Sequence, residues 1–367
     1  MRKIRVLVVD DSALMRKMIP LILSSDPEIE VIGTAMDGLF ALKKIEELAP
    51  DVITLDVNMP RMDGIETLRH IVQDFGIPTI IVSSLTQRDA ELTLQALEAG
   101  AFDFVTKPQD AISIHINDIK YEIVEKVKAA HGNPLAKLKI KKIQRSNELK
   151  RPAVLRRDEQ RFFEGKPFED VLAIGISTGG PNALSYLLPQ LPKDFPAAIV
   201  IVQHMPAGFT DMFAKRLNSI CQIEVKEAMD GDLVSAGRAL IAPGDRHLKI
   251  RRNPLGTIAV LSNAPHLNGH RPSADALFHS VASEYGRRAT GLIMTGMGSD
   301  GAEGIGEIMA KGGLSVAQDE ESCVVFGMPK AAIDKRYIKR IVSLEDMGVF
   351  LVNHFMKKEK EYGTVRT

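Results

Sequence analysis

Ile4-Arg5-Val6-Leu7-Val8-Val9-Asp10-Asp11 is the stretch on which the reading of the first half turns. A short apolar run closed by two carboxylates is too brief for a membrane span. It is as apolar as a strand buried on both faces of a parallel sheet must be. Working outward, similar runs recur at Ile29–Gly33, Asp51–Leu55, Thr79–Val82 and Ala101–Val105, each separated from the next by an amphipathic stretch. Strands alternating with helices imply an α/β class and a five-stranded, doubly wound parallel sheet over residues 1–130.

The ends of these runs carry the chemistry. Carboxyl ends of neighbouring strands in an open parallel sheet converge on one crevice, so Asp10, Asp11 and Asp56 are expected to meet there. Clustered carboxylates repel one another, and a hard divalent cation such as Mg²⁺ removes that cost. Taken one at a time, each aspartate is equally an ordinary helix N-cap. The fourth and fifth strands, however, end in Ser83 and Lys107, a hydroxyl and an ammonium able to hold a phosphoryl group accepted by a carboxylate. The segments VVDD, LDVNMPRMDG, VSS and VTKP, in that order, resemble the receiver domain of response regulators. The resemblance implies that Asp56 is the phospho-acceptor and that Asp10, Asp11, Asp56 and the Asn58 carbonyl hold Mg²⁺. It also implies that Ser83 and Lys107 contact the phosphoryl oxygens, with Phe104 at the position of the switching aromatic.

The chain has 367 residues, enough for two cores. Its 47 basic and 47 acidic side chains create no overall field toward nucleic acid or an anionic membrane. Two cysteines make no disulfide framework and have no metal-ligand spacing, which fits a reducing, cytoplasmic setting. No apolar stretch reaches the length of a membrane span and Asp10-Asp11 interrupts the N-terminal one, so neither export nor membrane insertion is expected.

Nine lysines and arginines between Lys137 and Arg157 dominate residues 131–165, read as a basic, solvated linker. No aromatic residues interleave with these charges, so a nucleic-acid arm is the weaker reading. From 166 to 367 the α/β pattern resumes with strands at Val171–Ile174, Ala198–Val202, Ala239–Ala242, Thr257–Leu261, Gly291–Thr295 and Leu314–Ala317. Turn signals at Pro243-Gly244-Asp245 and Asn253-Pro254-Leu255-Gly256 suggest an antiparallel hairpin appended to a mostly parallel sheet.

Gly175-Ile176-Ser177-Thr178-Gly179-Gly180 follows the first of these strands. Gly-x-Ser-x-Gly at a strand-to-helix turn exposes a serine hydroxyl at the sheet edge. A glycine-rich turn there also suits a phosphate or dinucleotide, although neither Gly-x-Gly-x-x-Gly nor a P-loop lysine is present. A serine nucleophile needs a base, and a histidine base needs an orienting carboxylate. His204, ending the next strand, is the best-placed base, with His270 as competitor; Asp300, after Met294-Thr295-Gly296-Met297-Gly298-Ser299, is the carboxylate.

Together GISTGG, VQHMPAGF and MTGMGSDG resemble the catalytic domain of the chemotaxis protein-glutamate methylesterases across essentially the whole second half. Many relatives have Asn where Ser299 stands. The resemblance implies a Ser177, His204, Asp300 triad, an oxyanion hole using the Met297 N–H, and Thr178 and His270 lining the site. No cofactor is implied for the esterase step. The implied substrates are glutamate γ-methyl esters, and selected glutamines, on the cytoplasmic domains of chemoreceptors, with the histidine kinase of the chemotaxis pathway as phosphoryl donor. A receiver-controlled DNA-binding regulator is the alternative, weakened by the lack of a helix-turn-helix signal or a basic second half. If the resemblance holds, the unphosphorylated receiver is expected to cover the approach to Ser177. Phosphorylation is then expected to draw Ser83 inward and favour an inward Phe104.

Overall fold

The computed structural model describes residues 2–107, 116–132, 170–254 and 256–364. The chain divides into two compact units, Met1–Gln144 and Arg145–Thr367. Apart from 131 and 132, the basic linker expected at 131–165 lies outside the described residues.

The first unit runs β1 (Ile4–Val9), α1 (Met15–Leu23), β2 (Ile29–Ala35), α2 (Gly38–Leu48), β3 (Val52–Asp56), α3 (Gly64–His70), β4 (Thr79–Ser83), α4 (Gln87–Ala99), β5 (Asp103–Thr106) and α5 (Ile116–Gly132). The sheet order is β2-β1-β3-β4-β5 and every pairing is parallel. Val6 to Val9 and all of β3 and β4 are buried, as helices on both faces require. Asp37, Asp63 and Thr86 cap α2, α3 and α4 by accepting from Phe40, Glu66 and Asp89 N–H groups, which fixes where those helices begin. Strand order reverses between β1 and β3, so the ends of those two strands flank the crevice of the sheet. At Gly64 a Cβ would stand 2.1 Å from the Asp56 carbonyl oxygen; only glycine lets α3 start against that strand end.

The second unit runs β6 (Val171–Ile176), α6 (Gly180–Leu187), β7 (Ala198–Gln203), α7 (Phe209–Ile220), β8 (Glu224–Glu227), β9 (Arg238–Ile241), β10 (His247–Asn253), β11 (Gly256–Ser262), α8 (Ala274–Tyr285), β12 (Ala289–Ile293), α9 (Ala302–Ala310), β13 (Leu314–Gln318), α10 (Met328–Asp334), β14 (Arg340–Val342) and α11 (Leu344–Thr364). Seven strands form a parallel sheet in the order β14-β13-β12-β6-β7-β9-β8. The antiparallel hairpin is β10–β11, a separate two-stranded sheet closed at Asn253–Gly256. Pro243-Gly244-Asp245 does not close a hairpin: it carries the chain from β9, a parallel strand beside β7, to β10. The parallel order runs outward in both directions from β6, which makes the end of β6 the crevice position. None of the described helices is long and apolar enough to cross a membrane.

Candidate active site

Asp10, Asp11 and Asp56 offer carboxylate oxygens within 4.8 Å of one another at the crevice of the first unit. Lys107 Nζ lies 2.8 Å from Asp56 Oδ2 and 3.0 Å from Asp10 Oδ2. Burial pushes the Asp56 carboxyl up to about 6 despite the Lys107 charge, and raises Asp10 in the same way. Burial works against the Lys107 ammonium, but the two carboxylates outweigh it and hold it above its usual value. The donor set fits a hard divalent cation: it consists of carboxylate oxygens, and exposed Asp11 leaves one side to water.

Around this pocket the Asn58 N–H donates to Asp56 Oδ1 at 3.4 Å, and the Asn58 side chain donates to Asp89. Ser83 Oγ accepts from Thr93 Oγ1 at 2.8 Å, so its hydroxyl is engaged with α4. Phe104 is buried. Lys126 lies over its ring at 5.4 Å, donates to the Phe104 carbonyl at 2.6 Å, and pairs with Asp103 and Glu122. This is the inward placement that phosphorylation is expected to favour, with a cation over the ring. Arg16, on α1, donates to the Asp10 and Asp11 carbonyls at 2.8 and 2.7 Å and clamps the acidic turn; nothing in its spacing announced this.

In the second unit, the β6–β7 ladder ends at the pair Ile176↔Gln203, followed by a bond from His204 N–H to the Ile176 carbonyl at 3.2 Å. Ser177 and His204 thus leave adjacent strands at the same level. On the other side the Ser177 N–H donates to the Thr295 carbonyl at 3.0 Å, beyond the end of β12. Gly179 turns the chain into α6 at φ 76°, where a Cβ would strike Val324. A Cβ at Gly296 would approach Ser177 Cβ to 2.8 Å.

Asp300, in the loop before α9, places Oδ2 at 2.9 Å from His204 Nε2. Its carboxylate also accepts from Ser273 Oγ (2.7 Å), Ala274 N–H (2.6 Å), Asp275 N–H (3.3 Å) and Asn268 Nδ2 (3.1 Å). Burial alone pushes this carboxyl up, yet the His204 ring, Ser273 and Asn268 together hold it well below the usual carboxylate range. The carboxylate sits against the N–H groups that open α8, where a helix favours an anion. With Nε2 committed to Asp300, the other ring nitrogen, Nδ1, is buried and has no hydrogen-bond partner among the described residues. His270 is in contact with the same ring rather than remote from it: the two imidazoles stack at 4.0 Å and 11°.

Thr178 is buried, and its carbonyl accepts from Thr295 Oγ1 at 3.0 Å. Met297 is half-buried, and among the described residues no backbone carbonyl accepts from its N–H. Asn268 was missed in the sequence; it bridges Asp300 and Asp275 with one amide nitrogen, from a backbone at φ 53°.

A family model described as CheB methylesterase matches residues 172–351, and one described as response regulator receiver domain matches residues 6–117. Among curated proteins, the chain is 55% identical over 354 residues to "Protein-glutamate methylesterase/protein-glutamine glutaminase 2" of Koribacter versatilis, covering 95% of each chain. It is 46% identical over 360 residues to "Protein-glutamate methylesterase/protein-glutamine glutaminase" of Bacillus subtilis, covering 97% of this chain and 99% of that one. Among solved structures, the Thermotoga maritima CheB methylesterase catalytic domain is 41% identical, covers 50% of this chain and 97% of that one, and has a TM-score of 0.49.

Proposed function

The chain belongs to the CheB methylesterases that carry a response regulator receiver domain, and from that premise we propose that Ser177 is its nucleophile, His204 its general base and Asp300 the carboxylate that orients the base. It is a protein-glutamate methylesterase and protein-glutamine glutaminase acting in chemotaxis, under the control of its receiver. The observation that carries the assignment is the His204–Asp300 bond at 2.9 Å, with a buried Nδ1 that has no hydrogen-bond partner among the described residues, on the residue that follows the strand end beside Ser177.

In this reading Nδ1 takes the proton as Ser177 Oγ attacks the γ-carbonyl, and the Met297 N–H bears the developing oxyanion. His204 returns the proton to the departing methoxide; methanol leaves and the acyl-enzyme remains. Water, deprotonated by the same ring, then releases Ser177 and the glutamate carboxylate. With a glutamine side chain the leaving group is ammonia. Thr178 supports the nucleophile turn through its backbone, and His270 lines the site by stacking on the base.

In the receiver, Asp56 accepts the phosphoryl group, with Asp10, Asp11 and the Asn58 carbonyl completing the Mg²⁺ site. The metal, when bound, supplies positive charge against the phosphoryl oxygens. Lys107 contacts those oxygens, Ser83 turns from Thr93 to meet them, and Phe104 relays the change. We assign the receiver to 1–130, the linker to 131–165 and the methylesterase to 166–367. The donor is the histidine kinase of the chemotaxis pathway, the substrates are chemoreceptor cytoplasmic domains, and the setting is the cytoplasm without membrane insertion or nucleic-acid binding.

The test is methanol release from membranes bearing methylated chemoreceptors. The full chain is expected to release methanol, faster with acetyl phosphate and Mg²⁺; DNA retention without methanol would instead favour a transcriptional regulator. His204→Ala is expected to cost at least about 10³-fold in rate and His270→Ala far less, since stacking orients a base but moves no proton. A larger loss at His270 would exchange their roles.

A further inference from the structure

We infer that Gln203 is a positioning residue that fixes the nucleophile turn to the base, an inference that rests on the reading of Ser177 and His204 given above. Gln203 ends β7 and is 2% exposed. Its Nε2 donates to the Ser177 carbonyl at 3.0 Å and to the His204 carbonyl at 3.2 Å. These are the two residues that leave the sheet just beyond the last ladder bond, where the Ser177 N–H has turned away to Thr295. One amide nitrogen thus spans the point at which the strands part.

The chemistry of the span is specific. Two carbonyl oxygens in this position need two N–H donors on one atom, which a primary amide supplies; a hydroxyl has one proton and a carboxylate none. Reversing the amide would set Oε1 against two carbonyl oxygens, so the acceptors fix its orientation. Oε1 is buried and, among the described residues, has no hydrogen-bond partner. An unpaired buried acceptor is unfavourable, and an apolar side chain would avoid it. Gly180 makes room for this group, since a Cβ there would lie 2.0 Å from Oε1.

The Ser177 carbonyl also accepts from the Gly180 N–H at 2.7 Å, so it is held twice. Because the peptide is planar and trans, pinning that carbonyl fixes the Thr178 N–H on the opposite side of the same plane. Gln203 thereby sets both the serine backbone, from which Oγ projects, and the backbone of the imidazole. Displacements near 1 Å in such an arrangement lower turnover by about 10²-fold. The effect belongs in kcat, because Gln203 is buried under the site and is not exposed to substrate.

Two variants of the full chain, assayed by methanol release from methylated receptors, test this. Gln203→Met keeps the reach and removes the donor; kcat is expected to fall about 10- to 100-fold with KM within about twofold. Gln203→Glu has no donor when ionised and one O–H when protonated; burial raises its carboxyl, so its rate relative to the parent is expected to rise severalfold from about pH 9 to about pH 6 as one of the two bonds returns. A role in folding alone would not bend that ratio over a range in which circular dichroism shows both chains folded. A folded Gln203→Met with kcat within twofold of the parent overturns the inference. If Gln203→Met does not fold, the Gln203→Glu ratio decides: a rate within twofold of the parent at every pH overturns it, and a reduced ratio that rises toward acid supports it. Ser177→Ala assayed alongside separates the premise from the inference. Activity surviving in Ser177→Ala removes the triad reading, whereas an inactive Ser177→Ala beside an unaffected Gln203→Met removes only the role of Gln203.

Discussion

Ser177→Ala is expected to leave a folded chain whose methanol release falls by at least about 10³-fold, because the loss of one member of a triad removes covalent catalysis and leaves only binding and oxyanion stabilisation. The change is a clean one. It deletes a single oxygen at the open end of β6, keeps the Cβ that packs against Gly296, and leaves the Ser177 backbone bonds to Thr295 and Gly180 intact. The melting temperature should therefore stay within a few degrees of the parent. Asp300→Ala is a poorer probe of chemistry, because it would also leave Ser273 Oγ and the N–H groups opening α8 without their acceptor. Retention of more than about a tenth of the parent rate by Ser177→Ala would dismiss Ser177 as nucleophile.

The parallel cores were legible because burial on both faces demands continuous apolar runs: β1, β3, β4, β6 and β7 are such runs, and their ends carry the aspartates, the serine and the histidine. β8 and β14 escaped notice for the complementary reason. They are short edge strands, Glu224–Glu227 and Arg340–Val342, whose charges blunt an exposed edge and hide the strand pattern. β9 was grouped with the hairpin because Pro243-Gly244-Asp245 has turn chemistry whether it joins antiparallel or parallel strands.

At the sites, strand ends said which groups meet but not how. The sequence left His204 and His270 as competing bases; in the structure the two rings stack, and His204 is the one bonded to Asp300. Which imidazole nitrogen faces the carboxylate, and that Asn268 reaches across 32 residues to the same carboxylate, depend on loop paths that no local period encodes. Lys126 over Phe104 is of the same kind: a lysine on a helix reads as solvated surface until the fold places it over a ring.

Asp56→Asn is expected to abolish formation of a Mg²⁺-dependent, base-labile, hydroxylamine-sensitive acyl phosphate, and with it the acceleration of methanol release by acetyl phosphate. Labelling at an unchanged level would refute Asp56 as acceptor. The same substitution has a second readout, in stability. The folded chain raises the Asp56 carboxyl to about 6, mainly by burial, from an ordinary 3.8. A raised carboxyl means that the folded state holds the proton more tightly than the unfolded one. Stability is therefore greatest where the group is protonated, and falls as pH rises from about 4 through about 6. Above that window, in metal-free solution, the ionised carboxylate costs the fold at most about 3 kcal/mol, since each pKa unit is worth about 1.4 kcal/mol. The amide that replaces it in the variant carries no charge, and Lys107 keeps Asp10 as its partner at 3.0 Å. Asp56→Asn should thus unfold a few degrees higher than the parent at pH 7.5 in a chelator, with the gap closing near pH 4. Added Mg²⁺ should raise the parent more than the variant, because the metal neutralises the carboxylate that burial penalises. A variant less stable than the parent at pH 7.5 without metal would mean that the Asp56–Lys107 contact outweighs the burial cost, and the pocket would then be preformed by its own charges rather than by the cation.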